Sequence, residues 1–387
     1  MYSTEFLPYI VRHYRRCRKV FKYYPFRFNP ELNRFVKDSN PYGERMFKLL
    51  LLVMLAYSGT TSCCLIFGSL SMAKKVQGVV FSLMYVLITV CTWNYDLDKS
   101  QIQVINSCLN FEDNIMEGEA HLPRSLQTKA MLLFYFILDH SFYLLPFGVF
   151  GLILINPCTP PFILSTWGRC SEIRWDGWII IVPLVELYLS MCFFYIGTDR
   201  IVYNLFAGIS SILNYFQLLE RKILEAVSLT DYELCVSAFR RIQLIEKLMN
   251  AFLREKIVPT LVFSIPALQV VTQYVTITMH ENIAMPVFLI FPLILVDAIA
   301  NNILVFTLAS WVFNASTKSL KKLDRTTVQH LRKTTIRKQL KSCAILKIKF
   351  GSNFIDNGTP LVIQNFCLNQ TVSLMLIKSG RSNIHMY

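Results

Sequence analysis

Three carboxylates lie inside long apolar runs of this chain: Asp139, Glu186 and Asp297. An ionisable side chain surrounded by hydrocarbon is costly, so it faces a cavity or a polar partner. Tyr135, Tyr143 and Tyr188 stand near them in the sequence, as do His140 and Asn301. Carboxylates beside aromatic rings suit hydroxyl-rich or cationic small molecules, through hydrogen bonds, stacking or cation–π contact. These eight residues are the candidate ligand-binding set. The competing reading is structural pairing, Asp139 with His140 or Asp297 with Asn301.

The same residues offer nothing for catalysis. His280-Glu281 is not followed by a histidine at the spacing a zinc-protease helix needs. There is no Gly-Asp aspartyl pair, no Ser/His rhomboid arrangement and no Gly-rich phosphate loop. The six histidines are scattered, and no CxxC or Cys/His spacing suggests zinc. Neither an enzyme nor a metal nor a cofactor is expected.

The elements that must position these residues are helices in a bilayer. The chain has 387 residues, 53% hydrophobic and 17% charged; soluble chains average about 45–50% and about 25%. Its 13% aromatic content excludes disorder, and 11 cysteines, an odd number, exclude a disulfide-rich secreted module. The apolar residues gather into runs of bilayer length at 46–70, 76–95, 130–156, 177–198, 257–279, 285–313 and 359–377. The fold class is therefore all-α, a polytopic membrane protein with seven transmembrane helices. Residues 1–45 hold no apolar stretch that would serve as a cleavable signal peptide.

Charge sets the orientation. Of 39 Lys and Arg, 30 fall in 1–45, the segment between spans two and three, 199–256 and 314–341, against 6 in the alternate loops. The positive-inside rule puts the N-terminus in the cytosol and, with seven spans, the C-terminus outside. The +14 formal charge thus lines one membrane face, where it also attracts anionic lipid, and does not indicate a nucleic-acid surface. This topology is the inverse of a G-protein-coupled receptor, whose landmarks are also missing. A small-solute transporter is a further alternative, but no repeated half with interrupted helices is visible.

On this topology Cys158 and Cys170 are the cysteine pair on the oxidising side. A disulfide is permitted there, and two free thiols are the other reading. The Asn314, Asn357 and Asn369 sequons read as chance matches. Two cytosolic segments, 200–224 and 232–254, carry apolar stripes at three- and four-residue spacing. They either extend spans four and five or lie on the membrane; the extension is favoured. Such a helical bundle below the membrane is a natural meeting place for subunits.

The last span begins after a turn-rich break at 351–358, with Thr359 as N-cap and Pro360 at the first helical position. It carries no charge, yet Gln364, Asn365, Asn369, Gln370, Thr371 and Ser373 are polar. Hydrocarbon offers such groups no partners, so the helix is buried in protein or lines water.

Seven spans, a cytosolic N-terminus, a long helical segment between spans four and five and a short outer tail resemble the arthropod gustatory receptors of the insect chemoreceptor superfamily. That family has a Gly-Phe-Phe-type turn, then a last helix ending in Thr-Tyr, five apolar residues and Gln-Phe. Here Lys349-Phe-Gly-Ser-Asn-Phe-Ile-Asp356 resembles the turn and Gln370-Thr-Val-Ser-Leu-Met-Leu-Ile377 the helix end. Thr371 matches; Val372 stands in the tyrosine's place, and Lys378 and Ser379 replace Gln-Phe.

The resemblance implies a ligand-gated, non-selective cation channel in the plasma membrane. It implies a homo- or heterotetramer with four last helices around one pore, a cytosolic anchor, and an outward-facing tastant pocket among spans two to six. It puts Thr371, Met375 and Lys378 at pore-facing positions. With Gln364 and Leu368 these share one helical face, so Gln364, Leu368, Thr371, Met375 and Lys378 are the candidate pore lining. The other choice is Asn365, Asn369, Val372 and Leu376. The expected organisation is a cytosolic segment 1–45, transmembrane helices in 46–199, and helical extensions 200–256. Transmembrane helices follow in 257–313, then anchor 314–350, pore helix 351–378 and outer tail 379–387.

Overall fold

The computed structural model describes residues 2–94, 99–115, 126–167, 170–173, 175, 177–281, 283, 285, 287–330 and 335–384. All seven apolar runs are helical. They correspond to α2 (Pro41–Phe67), α3 (Met72–Thr92), α5 (Leu126–Ile155), α6 (Ile181–Thr198), α9 (Val258–Thr278), α10 (Ile290–His330) and α12 (Thr359–Ile384). Among the described residues five further helices lie outside the apolar runs: α1 (Leu7–Val20), α4 (Ser100–Ile115), the pair α7 (Ala207–Glu225) and α8 (Leu229–Phe252), and the short α11 (Thr335–Lys341). Apart from two short hairpins, β1 (Phe26–Asn29) with β2 (Arg34–Lys37) and β3 (Lys349–Phe350) with β4 (Asn353–Phe354), the described elements are helical. The protein is a multi-pass membrane protein.

Local chemistry explains the helix starts. Pro41 opens α2, and the Asn40 side chain accepts the Tyr42 N–H at 3.0 Å. Ser228 and Asp231 cap α8 reciprocally. At α12 the capping oxygen belongs to Asp356. It accepts the N–H groups of Gly358 and Thr359 and the Thr359 hydroxyl, at 3.1, 2.9 and 2.7 Å. The Thr359 side chain thus holds the Asp356 carboxyl below its ordinary range. Gly351, with φ +55°, makes the β3–β4 turn that precedes it.

The two amphipathic segments continue their neighbouring spans. α6 runs into α7 through a π-helical stretch, Asp199–Phe206, and α8 into α9 through another, Leu253–Ile257. The 49 residues from Gly177 to Glu225 amount to roughly 74 Å of helix at 1.5 Å per residue, far beyond bilayer thickness. The overhang forms a second bundle of α7, α8 and the C-terminal part of α10, with α4, α11 and β3–β4 packed on it. Asn250 ties α8 to the chain before α12, donating to the Lys347 carbonyl at 2.8 Å and accepting the Lys349 N–H at 2.9 Å. Asn314 and Asn357, two of the sequon asparagines, bond each other at 2.7 Å.

At the opposite end Cys158 and Cys170 are bonded, with Cα atoms 5.2 Å apart. Trp167 stacks on Trp178 beside that closed loop.

The N-terminal segment packs into the junction between the two bundles. Ile10, His13, Tyr14, Cys17 and Phe21 form its buried face. His13 Nδ1 is 2.6 Å from the Tyr143 hydroxyl and its Nε2 is 3.2 Å from Cys17 Sγ. Burial pushes the His13 imidazole from 6.5 down to about 3. The unfolded chain takes up this proton below pH ~6.5 while the folded site refuses it, so stability present at neutral pH falls on acidification. At about pH 5 the loss is about 2 kcal/mol. His13→Gln keeps a hydrogen-bonding group that does not titrate. Its melting temperature should fall less than wild type's between about pH 7 and about pH 5. Equal falls would clear His13 of this role.

Candidate functional site

Five helices line a cavity of about 80 Å³ within the membrane bundle. That holds several water-sized bodies or one small organic molecule. α3 contributes Leu83, Met84, Leu87 and Ile88 at helical spacing; α9 contributes Leu261, Ser264, Ile265 and Leu268. α10 contributes Ile294, Asp297, Ala298 and Asn301. Ser141 and Leu145 of α5, Phe194 of α6 and Ile201 close the wall. The wall is apolar with one carboxylate. Ser141 hydrogen-bonds that Asp297 carboxylate, and the Asn301 amide donates to the Asp297 carbonyl at 2.7 Å. A predominantly apolar wall with a few fixed polar groups is the usual make-up of a small-molecule site.

Asp297 and Asn301 are therefore the two candidate ligand residues that the fold brings into this cavity. Glu186 is not there. Fully buried, it accepts the Tyr57 hydroxyl and, at 2.6 Å, the Ile163 N–H, tying α2 and the disulfide-end loop to α6. Tyr143 and Tyr188 turn toward the N-terminal segment instead. Tyr143 meets His13, and the Arg16 guanidinium lies 4.6 Å from its ring centre. Tyr188 meets Phe21 at 6.1 Å. His140 is exposed and bonds the Phe136 carbonyl of its own helix at 2.7 Å. The side chains of Tyr135 and Asp139 lie outside the described residues. Glu186 and Tyr143 thus lie outside this cavity, each hydrogen-bonded to another part of the protein, and the Tyr188 ring packs on Phe21. Ser141 and the apolar wall were not singled out from the sequence. A leucine facing a cavity and one facing a neighbouring helix carry the same local signal.

The next residue along α9 bonds α12, and the next along α10 bonds that residue. Leu268 lines the cavity, whereas Gln269 donates to Gln364 Oε1 at 2.9 Å. Asn301 lines the cavity, whereas Asn302 donates to Gln269 Oε1 at 2.6 Å. Farther along, Thr371 donates to Gln273 Oε1 at 2.9 Å, and Lys378 Nζ donates to the Thr278 carbonyl at 2.8 Å. α12 thus packs on α9 and α10 through Ile363, Cys367 and Thr371, all buried. Of the candidate pore residues, Thr371 and Gln364 are engaged inside the subunit, and Lys378 reaches back to α9. Met375 is half-buried and Leu368 exposed. The alternative face, Asn365, Asn369, Val372 and Leu376, is exposed throughout.

Below the cavity, Ile201 leads to a buried polar cluster. Asp199 Oδ2 accepts the Tyr24 hydroxyl at 2.6 Å and the Gln101 amide. That amide also lies 2.5 Å from the Tyr14 hydroxyl. Three separate stretches of chain, 14–24, 101 and 199, meet on one carboxylate. Among the described residues no group of side chains could hold a metal ion.

No family model matches the sequence, and no curated protein matches it. Solved structures do match the fold. The insect olfactory receptor OR5 from Machilis hrabei, in complex with eugenol, superimposes with a TM-score of 0.64 at 14% identity, over 97% of this chain and 100% of that one. A second structure of that receptor gives 0.62 at 12% identity over 95% and 99%. The likeness is one of fold, end to end, and both of these structures are of an olfactory receptor.

Proposed function

We propose that this chain is a chemosensory receptor of the plasma membrane that is itself a ligand-gated cation channel. The observation that carries the reading is the outward face of α12. Asn365, Asn369, Gln370 and Ser373 are exposed on a helix of membrane-spanning length and composition. Lipid offers these groups no partners, so further copies of the chain or a water-filled path must cover them. Four copies around an axis supply both. The Asn365, Asn369, Val372 and Leu376 face lines the pore, and Leu376 sets an apolar constriction that gates by dewetting. The helices of 200–256 and 314–350 form the cytosolic anchor where subunits meet.

The ligand is a small molecule with an apolar body, received in the cavity around Asp297; the structural neighbour holding eugenol supports a ligand of that size. The gustatory assignment rests on the resemblance in 349–377. α9 links the two sites, with Leu268 on the ligand side and Gln269 on the α12 side. Pro266 removes one backbone hydrogen bond from α9 and lowers the cost of bending there. A ligand that favours one α9 position shifts α12 through the Gln269–Gln364 and Gln273–Thr371 bonds.

The test is expression of this chain alone, with cation current recorded while small organic compounds are applied. A charged thiol reagent applied outside should block the current of Asn369→Cys and Leu376→Cys and spare Thr371→Cys. The reverse pattern would return the pore to the Thr371 face. Block at none of the three would remove α12 from the pore.

A further inference from the structure

The carboxylate in the cavity wall has no counter-cation. The apolar runs that supply the five walls, 76–95, 130–156, 177–198, 257–279 and 285–313, contain neither lysine nor arginine. Their one histidine, His140, is exposed and bonds its own helix. Asp139 of α5, whose side chain lies outside the described residues, brings no positive charge. Two basic residues flank the runs at the α7–α8 end, and both are engaged away from Asp297. The Arg200 guanidinium lies 5.5 Å from the Phe252 ring centre. Lys256 Nζ donates to Asn94 Oδ1 at 2.6 Å and to the Trp93 carbonyl.

Hydrogen bonding leaves the same deficit. A carboxylate accepts and never donates, with room for about four bonds. Among the described residues the Ser141 hydroxyl bonds the Asp297 carboxylate, while the Asn301 amide donates to the Asp297 backbone carbonyl. A charge withdrawn from water and met by a hydroxyl alone is costly, and a bound cation removes that cost. A hydroxyl-rich ligand fits poorly. It would need several donors and acceptors from a wall that is mostly Leu, Ile and Met, and the Tyr143 and Tyr188 rings that could stack on it lie elsewhere.

We propose that the ligand of this cavity is a small apolar amine, with its ammonium on the Asp297 carboxylate. The inference rests on the reading of this cavity as the ligand site. An ammonium brings three N–H donors and the missing charge, and charge-assisted bonds of this kind are the strong ones. The apolar body of the amine packs on Leu87, Leu261, Ile265 and Ile294. Folding has already taken Asp297 out of water and fixed it beside Ser141, so the amine meets a preorganised partner.

The experiment compares benzylamine with benzyl alcohol, which share one apolar body. At about pH 7 the first is a cation, because an aliphatic amine titrates near the lysine range, and the second is neutral. Binding to the purified full chain in mild detergent is measured by titration calorimetry. Benzylamine should bind at least about thirtyfold more tightly than benzyl alcohol. In Asp297→Asn, which keeps an acceptor for Ser141, the two should bind within about threefold of each other. The thermal midpoint of that variant checks its fold, and the wild-type comparison stands without any variant. Ala298→Phe keeps the carboxylate but fills the cavity and should weaken the amine as well. Equal binding of the two compounds to wild type, or no binding of the amine, overturns the proposal. So does a preference that survives Asp297→Asn, or amine binding untouched by Ala298→Phe. A current opened by neutral compounds with no preference for amines overturns the amine and leaves the receptor reading standing. Selective binding of the amine with no current from any compound does the opposite.

Discussion

Asp199→Ala should lose most of the folded protein, at a cost of about 3–5 kcal/mol. The carboxylate is fully buried and accepts from both Tyr24 and Gln101. Alanine leaves a phenol and an amide buried without their acceptor, each worth about 1–3 kcal/mol. A typical fold has about 5–15 kcal/mol in all. Asp199 also joins the N-terminal segment to α4 and to the start of the π-helical stretch, so its loss frees three chain segments together. Asp199→Asn keeps an acceptor of the same shape and should recover most of the loss. The measurement is the thermal midpoint and the yield of monodisperse particle in mild detergent. An alanine variant that melts with wild type would show that the cluster contributes nothing to stability.

Ala298→Phe should abolish the ligand response while leaving a folded receptor. Ala298 is buried in the cavity wall, one residue from Asp297 and three from Asn301. A phenyl ring there matches the space of about 80 Å³ in size and excludes a ligand from it. The half-maximal ligand concentration should rise by about a hundredfold or more, the equivalent of about 2.7 kcal/mol of lost binding. Thermal stability should hold or rise, because the ring fills a void. Ser62→Ala, at a hydrogen bond to Ser82 outside the cavity lining, serves as the comparison and should leave the response unchanged. An unchanged response in Ala298→Phe would place the ligand elsewhere.

The sequence alone determined the spans, because hydropathy over about 20 residues is a local sum that lipid reads directly. It favoured helical extensions of spans four and five, because apolar stripes at helical spacing run from Ile201 to Ile223 and from Leu234 to Phe252. The periodicity of α1 and α4 was equally present, in Ile10, Tyr14, Cys17 and Phe21 and in Ile102, Ile105, Leu109 and Glu112. Short helices in charged loops carry no hydropathy peak to draw attention to them.

Only the tertiary structure decided partners and rotations. Gln364 and Thr371 declared a helix that needed polar company, but a polar group reads the same whether water or a neighbouring helix satisfies it. Gln269 and Gln273 of α9, about a hundred residues away, turn those two inward and leave Asn365 and Asn369 exposed. Glu186 and Asp297 were alike as acids in apolar runs. Tyr57 and the Ile163 N–H consume one, while five packed helices leave the other, bonded to Ser141, in the wall of a cavity. Spacing fixes which residues share a helix face; the direction of that face depends on contacts between residues far apart in the chain.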